Sequence, residues 1–315
     1  MQIVVLDAKT LKTEELDLSP WWALGTLSLY DRTDPRLVPQ RLRGADVVLT
    51  NKVKLTADVL KGAGSLKMIG VLATGYDVVD VKAARALDIP VCNVPGYATG
   101  SVTESVFGFL LEMTRHTAFS TARIRQGAWT ACPEFCWWEK TPLALEGRTL
   151  GVVGCGAIGS RVAAVGKAFG MRVLGYARHE HPDFPGEQVP LDRLLMESDV
   201  VSLHCPATSE NAGFINAETI GKMKDGALLI NTARGSLVVA SDVAEALASG
   251  KLGGYGADVV SREPMDIHDP LLKAPNCYLT GHSAWATVEA RQKIVDVTGE
   301  SIRGCLEGKP VNVVN

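Results

Sequence analysis

The sequence predicts an α/β protein built from two doubly wound parallel sheets, and three observations lead to this prediction. Short apolar runs of strand length alternate with helix-like stretches along most of the chain. A strand, a glycine-rich turn and a helix then open a second series of the same kind at Thr149. The chain has 315 residues, which is enough for about two domains. Such alternation favours parallel strands joined by right-handed crossovers.

The first series has five strand-like runs, at residues 2–7, 26–30, 45–49, 66–72 and 90–94. Helix-like stretches lie between several of them, at 35–42, 56–60 and 78–87. This series has no glycine-rich dinucleotide-binding pattern, so we predict an α/β domain with a different function. The segment Pro95–Gly100 then breaks the pattern and is typical of a hinge or linker.

A long helix is predicted over Ser101–Thr117, and a loop over Gly127–Gly147 follows it. The loop carries four large aromatic residues, Trp129, Phe135, Trp137 and Trp138. A loop this long and aromatic inside a compact protein needs a reason. Either it packs against its own domain, or it is an arm that buries against a partner subunit.

The glycine fingerprint follows a buried strand at Thr149–Val153. Gly154, Gly156 and Gly159 form the pattern G-x-G-x-x-G, and Gly170 is placed to end the next helix. The first glycine permits a tight turn, the second lets the backbone approach a pyrophosphate, and the third allows close helix–strand packing. The helix N-terminus offers unpaired N–H groups to the anion. This pattern predicts dinucleotide binding.

Further strands are predicted at 172–176, 199–204, 226–231, 252–258 and 277–280, and Thr287 is a suitable N-cap for a last helix over Val288–Leu306. The simplest topology has two Rossmann-like domains. A dinucleotide-binding domain (99–287) is inserted into a flavodoxin-like substrate domain (1–98 and 288–315). Ligands of such sheets bind beyond the carboxyl ends of the strands, which predicts a reactive cleft between the domains.

Composition excludes several classes of function. The chain is 46% hydrophobic, which is too apolar for a disordered protein, and a formal net charge of −3 does not favour nucleic acid or an anionic membrane surface. No apolar run reaches the length of a membrane span, and the N-terminus lacks the basic region of a signal peptide. Seven scattered cysteines fit a reduced, cytoplasmic protein, and Cys132-x3-Cys136 has no companion pair for a metal.

Three chemically distinct side chains follow three separate predicted strands: Arg234, Glu263 and His282. Together they can reduce a 2-keto acid, in which hydride reaches C2 and the oxygen needs a proton. A histidine is the natural donor, and a neighbouring carboxylate favours and orients its imidazolium form. The planar fork of an arginine can hold the substrate carboxylate or ketone oxygen. We therefore predict Arg234 and His282 as substrate-binding and catalytic residues, with Glu263 as the partner of His282.

The other side of the substrate carboxylate is expected to meet the first domain. Thr74 and Gly75 follow the strand 66–72 in a turn, where consecutive backbone N–H groups form an anion-binding nest. They are the predicted substrate-binding residues of that domain. The alternative is an ordinary strand-to-helix turn.

Short motifs spread over nearly the whole chain occur in the order found in one known family. They are Ala73-Thr-Gly-Tyr-Asp77, Gly154-Cys-Gly-Ala-Ile-Gly159, His204-Cys-Pro206, Asn231-Thr-Ala-Arg-Gly235, Glu263-Pro264 and His282-Ser-Ala-Trp-Ala-Thr287. On these motifs the sequence resembles the D-isomer-specific 2-hydroxyacid dehydrogenases, and its 135–138 and 284–291 segments look most like the glycerate dehydrogenase (hydroxypyruvate reductase) branch.

The resemblance implies roles for particular residues. Arg234 would orient the substrate, and His282 would be the acid/base paired with Glu263. Further cofactor contacts are implied at Ala157, Ile158, Cys205, Pro206, Thr232, Ala233, Asp258 and Ala284, with Asp258 near the nicotinamide. Members of the family are typically homodimers, so the aromatic arm would lie in the dimer interface. Trp138 could then line the substrate cleft of the partner subunit.

One departure from the NAD-preferring relatives concerns the end of the second strand of the dinucleotide-binding domain. They carry a carboxylate there for the ribose 2′-hydroxyl, whereas this chain has Ala177 followed by Arg178. A guanidinium beside the gap favours a 2′-phosphate, so NADP is predicted over NAD. Under the alternative, Arg178 points to solvent and Ala177 merely weakens discrimination.

The leading hypothesis is reduction of hydroxypyruvate, glyoxylate or a similar small 2-keto acid to the D-2-hydroxy acid. Bulkier 2-keto acids remain an alternative, because the sequence does not define the size of the pocket. A non-catalytic dinucleotide-sensing dimer is a second alternative, and the intact Arg234, Glu263 and His282 argue against it. A phosphoglycerate dehydrogenase with a regulatory tail is disfavoured, since no further domain follows Asn315.

Overall fold

The structure, a computed structural model, describes residues Met1–Asn315. The chain divides into two compact units: the first comprises Met1–Ala98 and Trp285–Asn315, and the second comprises Thr99–Ala284. The sequence placed the second boundary after residue 287 rather than after 284. Residues 285–287 lie with the first unit, where the Trp285 ring packs edge-on against Tyr97 with ring centroids 6.3 Å apart.

The first unit is built on a five-stranded parallel sheet. Its strands are β1 (Gln2–Val5), β2 (Thr26–Leu29), β3 (Val47–Thr50), β4 (Met68–Val71) and β5 (Val91–Cys92), in the spatial order β2-β1-β3-β4-β5. This is the strand order of flavodoxin-like sheets, so the predicted fold of this unit is confirmed. The connecting helices are α1 (Ser19–Trp22), α2 (Val38–Leu42), α3 (Ala57–Lys61) and α4 (Val81–Ala86).

Both faces of this sheet are buried, which explains why its strands are continuous apolar runs. Side chains alternate between the faces along each strand. Ile3 and Val5 therefore join one apolar cluster, while Val4 and Leu6 join another on the opposite face.

The second unit contains a seven-stranded parallel sheet. Its strands are β6 (Thr149–Val153), β7 (Arg172–Tyr176), β8 (Glu187–Gln188), β9 (Val200–Leu203), β10 (Ala227–Asn231), β11 (Leu252–Ala257) and β12 (Cys277–Leu279). The spatial order is β12-β11-β10-β9-β6-β7-β8. The strand order reverses at β6, between β7 and β9, and such a switch point is where doubly wound sheets bind dinucleotides. The Rossmann-like fold predicted for this unit is confirmed.

The helices of the second unit are α5 (Thr99–Arg115), α6 (Thr117–Arg125), α7 (Ala157–Ala168), α8 (Leu191–Glu197), α9 (Ala217–Lys222) and α10 (Ala240–Ser249). Helix α5 begins at Thr99, so the last two residues of the predicted 95–100 linker are helical. It ends at Arg115 because His116 is left-handed, with φ of +54°, and α6 starts on its far side. The sequence analysis did not predict α6 or the short β8.

Helix α11 (Val288–Leu306) belongs to the first unit and covers one face of its sheet, where Ile294 and Ile302 are fully buried. Thr287 caps it as predicted, since its Oγ1 accepts the Ala290 N–H at 3.2 Å. The Trp21 indole N–H donates to the Val295 carbonyl at 2.9 Å and joins α1 to α11. None of the helices has the length and the apolar run that crossing a lipid bilayer demands.

Candidate active site

The glycine turn between β6 and α7 has the geometry that a bound pyrophosphate requires. Gly154 has φ of +105°, and a Cβ there would lie 2.5 Å from the Cys205 backbone nitrogen. A Cβ on Gly159 would lie 1.9 Å from the Gly154 carbonyl oxygen, so this glycine permits the close packing of α7 against the turn. A Cβ on Gly156 would meet nothing within 4 Å. The open space therefore lies at the start of α7, where unpaired N–H groups favour an anion.

A cavity of about 480 Å3 opens beside this turn. Six of the predicted cofactor-binding residues line it: Gly154, Gly156, Ala177, Arg178, Cys205 and Pro206. They come from the carboxyl ends of β6, β7 and β9, which are adjacent strands. Apolar and polar groups mixed in a cavity of this size are typical of a site for a nucleotide.

At the mouth of the cavity, Arg178 is exposed and its Nη1 lies 3.5 Å from Glu210 Oε2. Ala177 is half-buried just before it. The side chain is 61% exposed, so its contact with Glu210 leaves most of the guanidinium open to solvent. His179 and His181 line the same cavity.

His204 also lines the cavity, and burial lowers the pKa of its imidazole from 6.5 to about 3. Its Nε2 lies 2.8 Å from the Ser202 hydroxyl. The residue is therefore neutral at pH 7 and brings no positive charge toward the phosphates.

The turn after β10 carries Arg234 and is fixed by a buried amide. Asn231 is fully buried; its Oδ1 accepts the Ala233 N–H at 3.0 Å and its Nδ2 donates to the Arg234 carbonyl at 2.9 Å. The Arg234 side chain is exposed, and its Nη1 donates to the Ala233 carbonyl at 2.8 Å. The Thr232 hydroxyl is buried without a hydrogen-bond partner, as expected of a group that a ligand satisfies. The unpaired Thr232 hydroxyl and the open space at Gly156 both fit a bound dinucleotide.

The loops after β11 and β12 bring Glu263 and His282 into direct contact. Glu263 Oε2 lies 2.7 Å from His282 Nδ1, and both side chains are about one-third exposed, at 37% and 31%. Glu263 Oε1 also accepts the Val260 N–H at 3.3 Å. A Cβ on Gly235 would lie 1.9 Å from the Val260 carbonyl carbon, so the Arg234 turn and the Glu263 loop approach at backbone distance. Through this contact the Glu263 carboxylate orients the His282 ring at Nδ1.

Asp258 holds the turn that carries His282. Its carboxylate is 2% exposed and accepts the Ser283 N–H at 2.8 Å, the Ala284 N–H at 2.9 Å and the Thr280 hydroxyl at 2.6 Å. Its own carbonyl accepts the His282 N–H at 2.7 Å. His282 has φ of +53°, a left-handed conformation that few non-glycine residues adopt. This structural role of Asp258 was not predicted from the sequence.

Thr74 and Gly75 lie in the first unit, after β4. The Thr74 side chain is not directed at a ligand, because its hydroxyl donates to the Val94 carbonyl at 2.9 Å. Asn93 Nδ2 donates to the Thr74 carbonyl at 2.7 Å and further fixes the turn. The backbone N–H groups of Thr74 and Gly75 donate to no acceptor of the protein. The predicted anion nest therefore has its donors available, and its role with substrate stays a prediction.

Comparisons with known proteins agree with this geometry. Residues 107–284 match the model of a family described as D-isomer specific 2-hydroxyacid dehydrogenase, NAD binding domain. A hydroxypyruvate reductase of Blautia hydrogenotrophica is 41% identical over 100% of both chains. The chain belongs to the D-isomer-specific 2-hydroxyacid dehydrogenase family. The resemblance inferred from its motifs is thereby confirmed.

This dehydrogenase is also similar to a second enzyme and to a solved structure. A glycerate dehydrogenase of Methylorubrum extorquens is 40% identical over 90% of each chain, which agrees with the predicted branch of the family. The solved structure of an acyclic imino acid reductase, in complex with NADPH and D-Arg, has a TM-score of 0.86 and 27% identity and covers 100% of both chains.

Not all predicted residues of the dehydrogenase line the cavity. Among the predicted cofactor-binding residues seven do not: Ala157, Ile158, Gly159, Thr232, Ala233, Asp258 and Ala284. Gly159 acts through packing and Asp258 through the His282 turn. Ala284 is buried, and its carbonyl accepts the Ser101 hydroxyl, so it also helps to anchor this turn. For Ala157, Ile158, Thr232 and Ala233, direct cofactor contact stays a prediction.

The sequence analysis missed several residues that line the cavity or fix the site: His181, Asn211, Phe214, Glu210, Asn231 and His204. Asn231 and His204 stand inside two of the motifs quoted above, Asn231 as the last residue of β10 and His204 directly after β9. Their position at the carboxyl end of a strand, within a motif, could have marked them as residues of the site. Glu210 carried no signal, because a glutamate in a polar loop is typical of a solvated surface.

Proposed function

We propose that this dehydrogenase reduces a small 2-keto acid, of the hydroxypyruvate or glyoxylate type, to the D-2-hydroxy acid. The observation that carries the proposal is the 2.7 Å contact between Glu263 and His282, on loops beside the Arg234 turn. A histidine–carboxylate pair and an exposed guanidinium at one sheet edge are suited to protonating and orienting a keto acid. The names of the relatives at 40% and 41% identity support this substrate class.

In this proposal each protein group has one task. A bound nicotinamide coenzyme supplies the hydride that reduces C2. The guanidinium of Arg234 binds the substrate carboxylate and polarises the ketone. His282 Nε2 delivers the proton to the ketone oxygen, and Glu263 stabilises the imidazolium before that transfer. The free N–H groups of Thr74 and Gly75 are proposed to bind the other side of the carboxylate.

The test is an initial-rate assay that follows nicotinamide absorbance with hydroxypyruvate, glyoxylate, pyruvate and a 2-keto acid with a bulky branched side chain, each with NADH and with NADPH. Fast turnover of hydroxypyruvate is expected. Faster turnover of a keto acid with a bulky side chain would replace the small-substrate proposal with the alternative from the sequence. Coenzyme binding without turnover of any keto acid would contradict the catalytic assignment of Arg234, Glu263 and His282.

For the coenzyme, we propose that NADPH is used at least as well as NADH. Support comes from the absence of a carboxylate at Ala177 and from the exposed guanidinium of Arg178 in the cavity. A charge-assisted hydrogen bond contributes about 1.5–3 kcal/mol, or roughly tenfold to a hundredfold in affinity.

The variant Ala177→Asp tests the coenzyme proposal. A carboxylate at this position repels a 2′-phosphate and accepts hydrogen bonds from a 2′-hydroxyl. We expect kcat/KM for NADPH to fall about tenfold to a hundredfold while kcat/KM for NADH is kept or rises. Ala177→Asn has nearly the same shape without the charge and serves as the control. Equal constants with NADPH for Ala177→Asp and the parent would contradict the proposal.

We also propose that the dehydrogenase is a homodimer joined through the aromatic arm, residues 127–147. Phe135 is 90% exposed, Trp138 59% and Trp129 45%, so the arm does not bury these rings against its own unit. The preceding helix α6 has no buried residue at all. An isolated helix of this length has little intrinsic stability, so a second copy packed against it is the natural partner. Sedimentation of the parent and of Phe135→Ser measures whether the dimer depends on the arm.

A further inference from the structure

Arg178 does not stand alone at the end of β7. Its guanidinium lies 3.5 Å from the carboxylate of Glu210, which comes from the loop after β9. Both residues line the same cavity, and Glu210 is the only acidic residue that lines it. A carboxylate therefore faces the coenzyme cavity even though Ala177 has none, and it reaches the cavity from another strand.

The backbone that presents Glu210 is held by its neighbour. Asn211 Nδ2 donates to the Pro206 carbonyl at 2.9 Å, and its Oδ1 accepts the Thr208 N–H at 2.7 Å. These bonds close a compact loop from Pro206 to Asn211. The Glu210 side chain is 80% exposed, so it can move, but its starting point opposite Arg178 is fixed.

The other titratable residues that line the cavity are Cys155, Tyr176, His179, His181, His204 and Cys205, and none of them is acidic like Glu210. None of the histidines forms an ion pair with Glu210, which pairs with Arg178 alone. A 2′-phosphate that binds Arg178 therefore competes with the Glu210 carboxylate for the guanidinium, and the two anions repel each other. A coenzyme without that phosphate leaves the pair intact.

We propose that Glu210 reduces the preference for NADPH. Its carboxylate pairs with Arg178 and so weakens the interaction of Arg178 with the 2′-phosphate of NADPH. This inference rests on the proposed use of NADPH through Arg178. In this inference the 2′-phosphate of NADPH binds a guanidinium that Glu210 already partly neutralises, whereas NADH makes no use of that guanidinium. The dehydrogenase consequently discriminates less between the two coenzymes than Ala177 and Arg178 alone would produce.

The experiment measures binding rather than turnover. Adenosine 2′,5′-bisphosphate and 5′-AMP serve as probes, and their dissociation constants are measured by isothermal titration calorimetry. For Glu210→Gln we expect the bisphosphate to bind about two- to fivefold more tightly than to the parent, the range for an exposed ion pair. Binding of 5′-AMP should not change. The control is Glu218→Gln on α9, since Glu218 is equally exposed (80%), pairs with Lys222 at the same 3.5 Å and does not line the cavity.

A double-mutant cycle with Arg178→Gln decides whether Glu210 acts through Arg178. We expect the gain from Glu210→Gln to become smaller once Arg178 is replaced, since only direct repulsion between the carboxylate and the phosphate is then removed. An undiminished gain in that background, an equal gain for 5′-AMP, or no gain in the parent would overturn the inference.

The same measurements distinguish failure of the inference about Glu210 from failure of the coenzyme proposal. If Arg178→Gln itself leaves bisphosphate binding unchanged, the use of Arg178 for NADPH fails. If Arg178→Gln weakens binding but Glu210→Gln does not tighten it, only the role of Glu210 fails.

Discussion

Replacing His282 with glutamine is expected to lower kcat for keto-acid reduction by about 10²- to 10⁴-fold, the range for a positioned acid/base group. The imidazole is the proposed proton donor, and the carboxylate 2.7 Å away orients it. Coenzyme affinity should stay within about twofold of the parent, because the glycine turn and its cavity lie at other strand ends. Steady-state kinetics together with a fluorescence titration of NADPH separate the two effects.

Two further variants sharpen this prediction. Glu263→Gln keeps a hydrogen-bonding side chain but removes the charge, so its kcat should fall less than that of His282→Gln. His268→Gln replaces an exposed histidine in the loop after Glu263 and should keep parental kinetics. A His282→Gln enzyme with nearly full kcat would refute the assignment of the proton donor, whatever the behaviour of Glu263→Gln.

Acidification is expected to destabilise the second unit through His204. Its pKa is about 3 in the folded protein, against an ordinary value of 6.5. Between these values the unfolded chain binds a proton that the folded chain does not, so this stabilisation is complete above pH 6.5 and is lost as the pH falls toward 3. At 1.36 kcal/mol per pKa unit, the loss from pH 7 to pH 4.5 is about 2–3 kcal/mol.

Urea unfolding of the parent and of His204→Gln at pH 7 and pH 4.5 measures this contribution. Glutamine does not titrate, so the free energy of unfolding of the variant should fall about 2–3 kcal/mol less between the two pH values. His268→Gln, which replaces an exposed side chain, should follow the parent. Parallel pH dependence of the parent and His204→Gln would show that His204 is not the group responsible.

The fold was largely predictable because parallel strands buried on both faces leave an unambiguous pattern. The strands β1, β6 and β10 are fully apolar or nearly so, and glycine turns or helices separate them. Helix α6 was missed for the opposite reason. None of its residues is buried, so it shows no apolar stripe. Likewise β8 has two exposed residues, Glu187 and Gln188, which nothing in the sequence marks as a strand.

The candidate site was predictable where a residue's chemistry is unusual for its place. Arg234, Glu263 and His282 each follow a strand, and the structure brings Glu263 and His282 into contact. The supporting residues could not be inferred in the same way. The hydrogen bonds of Asp258 to the turn after β12 join residues 25 and 26 positions away in sequence. The pairing of Arg178 with Glu210 depends on the loop between β9 and α9, whose conformation the sequence pattern does not specify.

The anchoring of the His282 turn by Asp258 has a consequence for how this segment can diverge. Asp258 contacts Ser283 and Ala284 only through their backbone N–H groups. The Ser283 side chain is exposed and takes no part in the anchor, so it is open to substitution while His282 keeps its place. Proline at either position is the exception, because it lacks the required N–H. Residue 283 can therefore change beside the proposed acid/base residue without altering the support of His282.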